Sequence, residues 1–155
     1  GLGDVYKRQA VTSPLAIQKP LHKTHLASYR EILIGATKYK ELASQIRSLN
    51  DLSGIPVIGL ADGTGTRELY HRYFLSHGLM FAPDMEAATT DQILPMITHN
   101  LGIGFYPEEL AAEAIARGSA YAIRLVEPIP EREICLVTNS STQMSAAVRK
   151  VISFL

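Results

Sequence analysis

Asp62-Gly63-Thr64-Gly65-Thr66-Arg67 is the stretch whose residue types best suit binding chemistry. Glycines let backbone N–H groups approach a ligand, and a helix opening here would turn its positive end toward an anion. Thr64 and Thr66 add hydroxyl donors, and Arg67 adds a planar fork that fits a carboxylate. Asp62 would repel an anion, and Gly-Thr-Gly is also the chemistry of a plain turn and helix cap. The stretch is not a phosphate-binding loop, because no Gly-Lys-Ser/Thr follows. Glu86 could accept a hydrogen bond from a ligand; its plainer role is a solvated edge charge. Phe105, Tyr106 and Pro107 end an apolar run that suits a buried strand. Ligands of α/β sheets lie beyond such carboxyl ends. Alternation turns one ring to each face, with Tyr106 expected partly open; the plainer roles are core packing by Phe105 and helix initiation by Pro107.

Other reactive residue types form no motif. His22, His25, His71, His77 and His99 include no His-x-x-x-His, and no Cys-x-x-Cys exists, so no metal site and no cofactor are expected. Cys135 stands between Ile134 and Leu136 and reads as a buried apolar filler. Ser13, Asp91 and His99 could be imagined as a triad, but no Gly-x-Ser-x-Gly supports it. Binding, not catalysis, is the expectation.

The elements that must position these residues centre on Ile93–Arg117. Ile93, Leu94, Ile97 and Leu101 recur at helical spacing. Asn100 and Gly102 interrupt, Ile103–Tyr106 suits a strand, and Pro107 reopens a helix whose first turn carries Glu108 and Glu109. Helix, strand, helix is the grammar of an α/β layer with a mainly parallel sheet. Further strands are predicted at Glu31–Ala36, Ile55–Leu60, Met85–Ala88, Tyr121–Leu125 and Glu133–Val137, with Ala10–Pro14 ending another. Leu21–Ser28 reads as a connection, and Tyr39–Leu49 as loop or short helix. Leu69, Tyr70, Tyr73 and Phe74 give the helix after Arg67 one apolar face, ended by Gly78. Ser140-x-x-Gln143 can cap a last amphipathic helix through Met144, Ala147, Val148, Val151, Ile152 and Leu155. Joints near 36–39 and 127–131 divide the chain into two lobes, 37–131 and the paired outer pieces 10–36 and 132–155, with a hinge over a cleft.

The totals agree with a globular binding domain. Of 155 residues, 46% are hydrophobic and 19% charged, so the chain is not a disordered one. Fifteen basic and fifteen acidic residues cancel, which argues against a nucleic-acid surface in this stretch. One cysteine excludes an internal disulfide and fits a reducing compartment. No apolar run reaches about 18 residues, so nothing is expected to span a membrane, and no signal peptide is legible. Residues 1–9, GLGDVYKRQ, resemble a translated adapter scar, which would make the chain a fragment with its natural start lost.

Four pieces, in order, resemble the effector-binding domain of LysR-type transcriptional regulators. They are Ala10-Val11-Thr12-Ser13-Pro14; Leu49-x-x-Leu52-x-x-x-Pro56-Val57-Ile58; Asn100-Leu101-Gly102-Ile103-Gly104-Phe105-Tyr106-Pro107; and Pro130-x-Arg132-x-Ile134-Cys135-Leu136-Val137. The resemblance implies an α/β, type II periplasmic-binding-protein-like fold: two Rossmann-like lobes on a two-strand hinge, the first incomplete. It implies a bacterial, cytoplasmic regulator that is a homodimer or homotetramer. It implies a small-molecule effector, a carboxylate among the candidates, in the cleft. Thr12 and Ser13 would line the facing wall, opposite Gly63–Arg67, Glu86 and Phe105–Pro107. DNA would be touched only by a winged helix-turn-helix absent from this chain. The family's acidic residue before Ala10 is Gln9 here. A solute-binding protein of a transport system has the same fold and is the alternative; the upstream reading frame separates the two.

Overall fold

The computed structural model describes residues 9–12 and 22–138. The strands are β1 (Gln9–Thr12), β2 (His22–Tyr29), β3 (Glu31–Gly35), β4 (Val57–Leu60), β5 (Met85–Ala87), β6 (Ile103–Pro107), β7 (Tyr121–Ile123) and β8 (Arg132–Thr138). The helices are α1 (Gly65–Ser76), α2 (Thr90–Thr98) and α3 (Glu108–Ala116). Short 3₁₀ turns at Thr37–Tyr39, Leu42–Ser44 and Leu49–Leu52 fill the stretch expected as loop or short helix. The chain divides into two compact units, one of them Arg30–Glu131 and the other formed by the segments up to Tyr29 and from Arg132.

In the Arg30–Glu131 unit the sheet runs β5-β4-β6-β3-β7. Alternation along the strands sorts side chains to two faces. Leu33, Ile103 and Phe105 join Tyr70, Tyr73 and Phe74 of α1 in one buried cluster. Ile34 and Tyr106 join Ile93 and Ile97 of α2 and Ala111 and Ala114 of α3 in the other. The sheet is therefore covered by helix on both faces, as a buried parallel strand requires. β4 is parallel to β5 and β6, but β3 is antiparallel to both β6 and β7. The sheet is mixed, not mainly parallel. Glu31–Gly35, expected in the outer piece, is a strand of this sheet, because its ladder partners are β6 and β7.

Local chemistry explains the ends. Asn100 takes φ 60° after α2, the left-handed backbone that asparagine tolerates. Gly102 serves a different need, since a Cβ there would lie 2.6 Å from the Pro56 carbonyl oxygen. Leu101, expected on the helix face, stands outside α2 and is exposed. Pro107 is the N-cap of α3, with extended ψ of 128°, not its first helical residue.

In the other unit β8 lies between β1 and β2. Residues 21–28 were expected as a connection; among the described residues His22–Tyr29 is instead an edge strand paired antiparallel with β8. Its polar side chains suit an edge, which native sheets keep hydrophilic. The expected turn at Ser13–Pro14 and the last helix, with its capping residues, lie outside the described residues.

Candidate functional site

Three parallel strands, β5, β4 and β6, end at one edge of the five-stranded sheet. Each is followed by a helix: α1 after β4, α2 after β5 and α3 after β6. Three helix amino-termini therefore collect at that edge, where backbone N–H groups of a first turn have no intrahelical acceptor.

The loop from β4 to α1 is tightly made. Gly63 takes φ 87°, a conformation that a side chain would strain. Thr64 is the N-cap of α1: its Oγ1 accepts from the Arg67 amide at 3.1 Å and donates to the Ala61 carbonyl at 2.9 Å. Arg67 is 15% exposed at its side chain, and its fork is engaged within the fold. Nη1 donates to the Leu60 carbonyl at 2.9 Å and lies 3.5 Å from Glu86 Oε1. Nε is 4.0 Å from Asp62 Oδ1, and the guanidinium sits 5.7 Å from the Phe81 ring centre. Arg67 thus ties the last carbonyl of β4 to the neighbouring strand β5, where Glu86 stands opposite Gly59.

Beneath the loop lies an aromatic stack. Tyr70 stacks on Phe105 with ring centres 4.3 Å apart, and Phe81 is 5.7 Å from Tyr70. The Tyr70 hydroxyl donates to buried Glu31 Oε1 at 2.5 Å. The space bounded by Leu60, Thr66, Arg67, Tyr70 and Phe105 is about 10 Å³. That holds no more than a water, so a ligand at this edge would rest on the loop, not under it.

The predicted residues separate accordingly. Gly63, Thr64, Gly65, Thr66 and Arg67 form the loop and first turn, with Gly63 open to solvent and Glu86 exposed beside Arg67. Phe105 is core, packed against α1. Tyr106, expected partly open, is only 6% exposed and packs on the opposite face. Its hydroxyl pKa is raised by burial and then by the Asp91 carboxylate, so it stays protonated. Pro107 is half-buried at the carboxyl end of β6. Thr12 lies in β1, in register with Cys135 of the other unit, and Ser13 lies outside the described residues.

Glu31 and Tyr70 went unremarked as a pair in the sequence. The signal was a carboxylate opening an apolar strand and a tyrosine on an apolar helix face, since buried hydroxyls find partners. A second cavity, of about 320 Å³, opens at the amino end of β4, lined by Leu49, Leu52, Ile55, Val57, Phe74 and Leu79 among others. It is at the end of that strand opposite the Asp62–Arg67 loop.

Comparison with known proteins places this geometry. The profile of the LysR substrate binding domain matches residues 10–155. The chain is 25% identical over 142 residues to YeiE of Escherichia coli strain K12, named as an uncharacterized HTH-type transcriptional regulator. That match covers 89% of this chain and 48% of YeiE, so the chain spans about half the length of the curated relatives it matches. Among solved structures, the regulatory domain of Synechocystis PCC6803 CcmR in complex with 2-PG is 16% identical, with a TM-score of 0.78 over 95% of this chain and 71% of that one. The effector binding domain of QuiR in complex with shikimate is 16% identical, with a TM-score of 0.78 over 99% and 73%. The regulatory domain of MetR from Neisseria meningitidis is 13% identical, with a TM-score of 0.76 over 98% and 72%. At these identities the structures establish the fold alone: the α/β, periplasmic-binding-protein-like fold of LysR regulatory domains.

Proposed function

The chain belongs to the family of LysR substrate binding domains, and from that premise we propose how it senses a ligand. It is a ligand-sensing regulatory domain, and the effector is a small molecule held at the edge where β4, β5 and β6 end. The observation that carries this reading is the meeting of three helix amino-termini with the exposed loop at Gly63. The fold holds 2-PG in CcmR and shikimate in QuiR, which supports a small-molecule effector here. Because Arg67 Nη1 and the Thr64 hydroxyl are already engaged, the loop reads its ligand chiefly through the backbone at Gly63 and Gly65. Backbone N–H donors favour an oxygen-rich or anionic group, a carboxylate first among them.

In the parent protein, effector binding shifts a two-state equilibrium and so changes how a helix-turn-helix segment, outside this chain, meets DNA. The parent works as a bacterial, cytoplasmic homodimer or homotetramer. Among the described residues no helix is long and apolar enough to cross a membrane.

Thermal unfolding with a panel of small carboxylates, amino acids and aromatic acids tests the reading. A true effector at a hundredfold excess over Kd stabilises the folded chain by about 2.7 kcal/mol. Gly65→Val should keep the fold and lose that shift, because a branched side chain holds the ligand off the first turn. A folded chain that responds to no member of the panel, or a Gly65→Val chain that responds in full, would overturn it.

A further inference from the structure

We propose that His25, Glu133 and Cys135 form a binding site for a borderline-soft divalent metal ion, zinc foremost. No linear motif announces it, because the ligands come from two strands. His25 of β2 is the direct cross-strand partner of Cys135 of β8. Glu133 is two residues from Cys135, and side chains two apart on a strand share a face. The register slips between His25 and Ala27, a bulge beside the cluster. Bulges re-aim side chains and recur next to functional sites.

The distances fit an ion. One ligand atom from each residue lies within 4.8 Å of the other two. Cys135 Sγ and Glu133 Oε2 are 4.0 Å apart. Zinc bonds of about 2.3 Å to sulfur and about 2.0–2.2 Å to nitrogen or oxygen set neighbouring ligands roughly 3.5 Å apart in a tetrahedron. Small side-chain rotations close that gap. Ser28 Oγ lies 3.4 Å from His25 Nε2, so the ring keeps its other nitrogen whichever way that contact is used.

The chemistry also balances. Cys135 is fully buried, whereas His25 and Glu133 are exposed. A hydrated ion can therefore arrive at the histidine and carboxylate and then take the thiol. The S–Zn bond forms as the S–H bond breaks, and the proton leaves to solvent. One thiolate and one carboxylate neutralise the divalent charge, and a fourth position stays open to water. An unpaired buried thiolate would be costly, so the ion and the ionised sulfur stabilise each other.

Cobalt(II) is the probe, with zinc as competitor, on the whole chain. One equivalent should bring a near-ultraviolet thiolate-to-cobalt band and the visible bands of a tetrahedral ion, both bleached by zinc. Affinity should rise with pH, because a proton is released. Cys135→Ser should abolish the thiolate band. His25→Gln and Glu133→Gln, at exposed positions, should each weaken binding by more than roughly tenfold, a loss that even outer-shell changes reach. His99→Gln should leave it unchanged. Should Cys135→Ser fail to fold by circular dichroism, the two exposed variants decide the matter. A folded chain that shows no thiolate band in excess cobalt, or a band that survives both His25→Gln and Glu133→Gln, overturns the site.

Discussion

Replacing Arg67 by alanine separates a structural tie from a ligand-reading fork. The side chain donates at 2.9 Å to the Leu60 carbonyl, a charge-assisted bond that contributes about 1.5–3 kcal/mol where water is partly excluded. Its guanidinium over Phe81 adds about 0.5–1 kcal/mol. Glu86 is 54% exposed, so the ion pair contributes about 0.5 kcal/mol at most. Asp62, at 90% exposure, is left out of the sum. The expected loss is about 2–4.5 kcal/mol, on the order of 10 °C in Tm for a chain of this size. Arg67→Lys keeps the charge but not the fork, and should fall between alanine and the natural chain. Thermal and urea unfolding by circular dichroism measure all three. If Arg67→Ala unfolds within about 1 kcal/mol of the natural chain while effector stabilisation vanishes, the tie is not structural and the fork faces the ligand.

Two further outcomes follow from the same unit. Phe105→Ala removes the ring stacked on Tyr70 and edge-packed by Tyr73 and Phe74, and should cost about 3–5 kcal/mol in urea unfolding. At Glu127, partial burial pushes the carboxyl pKa up, but donation from the Ser48 hydroxyl at 2.7 Å and the Leu49 amide at 3.0 Å, with His77 nearby, leaves it below the ordinary value. A depressed folded pKa means that this stabilisation is complete above the unfolded value of about 4.3 and is lost as pH falls through the folded one. Urea midpoints measured from pH 6 down to pH 3 should therefore drop less steeply in Glu127→Gln than in the natural chain.

What could be read from the residues was what local periodicity encodes. Ile103–Tyr106 alternates, and it is a strand with Phe105 and Tyr106 on opposite faces. Tyr70, Tyr73 and Phe74 fall on one side of a helix, and all three are buried there. Thr64 and Gly63 announce the cap and turn that they make. What escaped was pairing at a distance. His22–Tyr29 has no apolar rhythm, and only β8 makes it a strand. Glu31–Gly35 reads as a strand from its own residues, but nothing in it says that both neighbours run antiparallel. Arg67 looked like an open donor because Glu86 follows nineteen residues later and the Leu60 carbonyl has no sequence signature.

These engagements bear on how the edge recognises anything. The Thr64 hydroxyl, the Arg67 fork and the Tyr70 hydroxyl each have a partner inside the unit. A loop held this way loses little freedom when a ligand arrives, which lowers the ordering cost of binding. Side chains so committed cannot also reach out without breaking buried hydrogen bonds, and a buried acceptor left unpaired costs about 1–3 kcal/mol. On the proposed reading, recognition at the β4 end would therefore fall to the backbone around Gly63 and Gly65, which carry no side chain. The glycines would thus have a role distinct from their neighbours: Thr64 and Arg67 hold the loop in shape, and the glycines would let a ligand touch it.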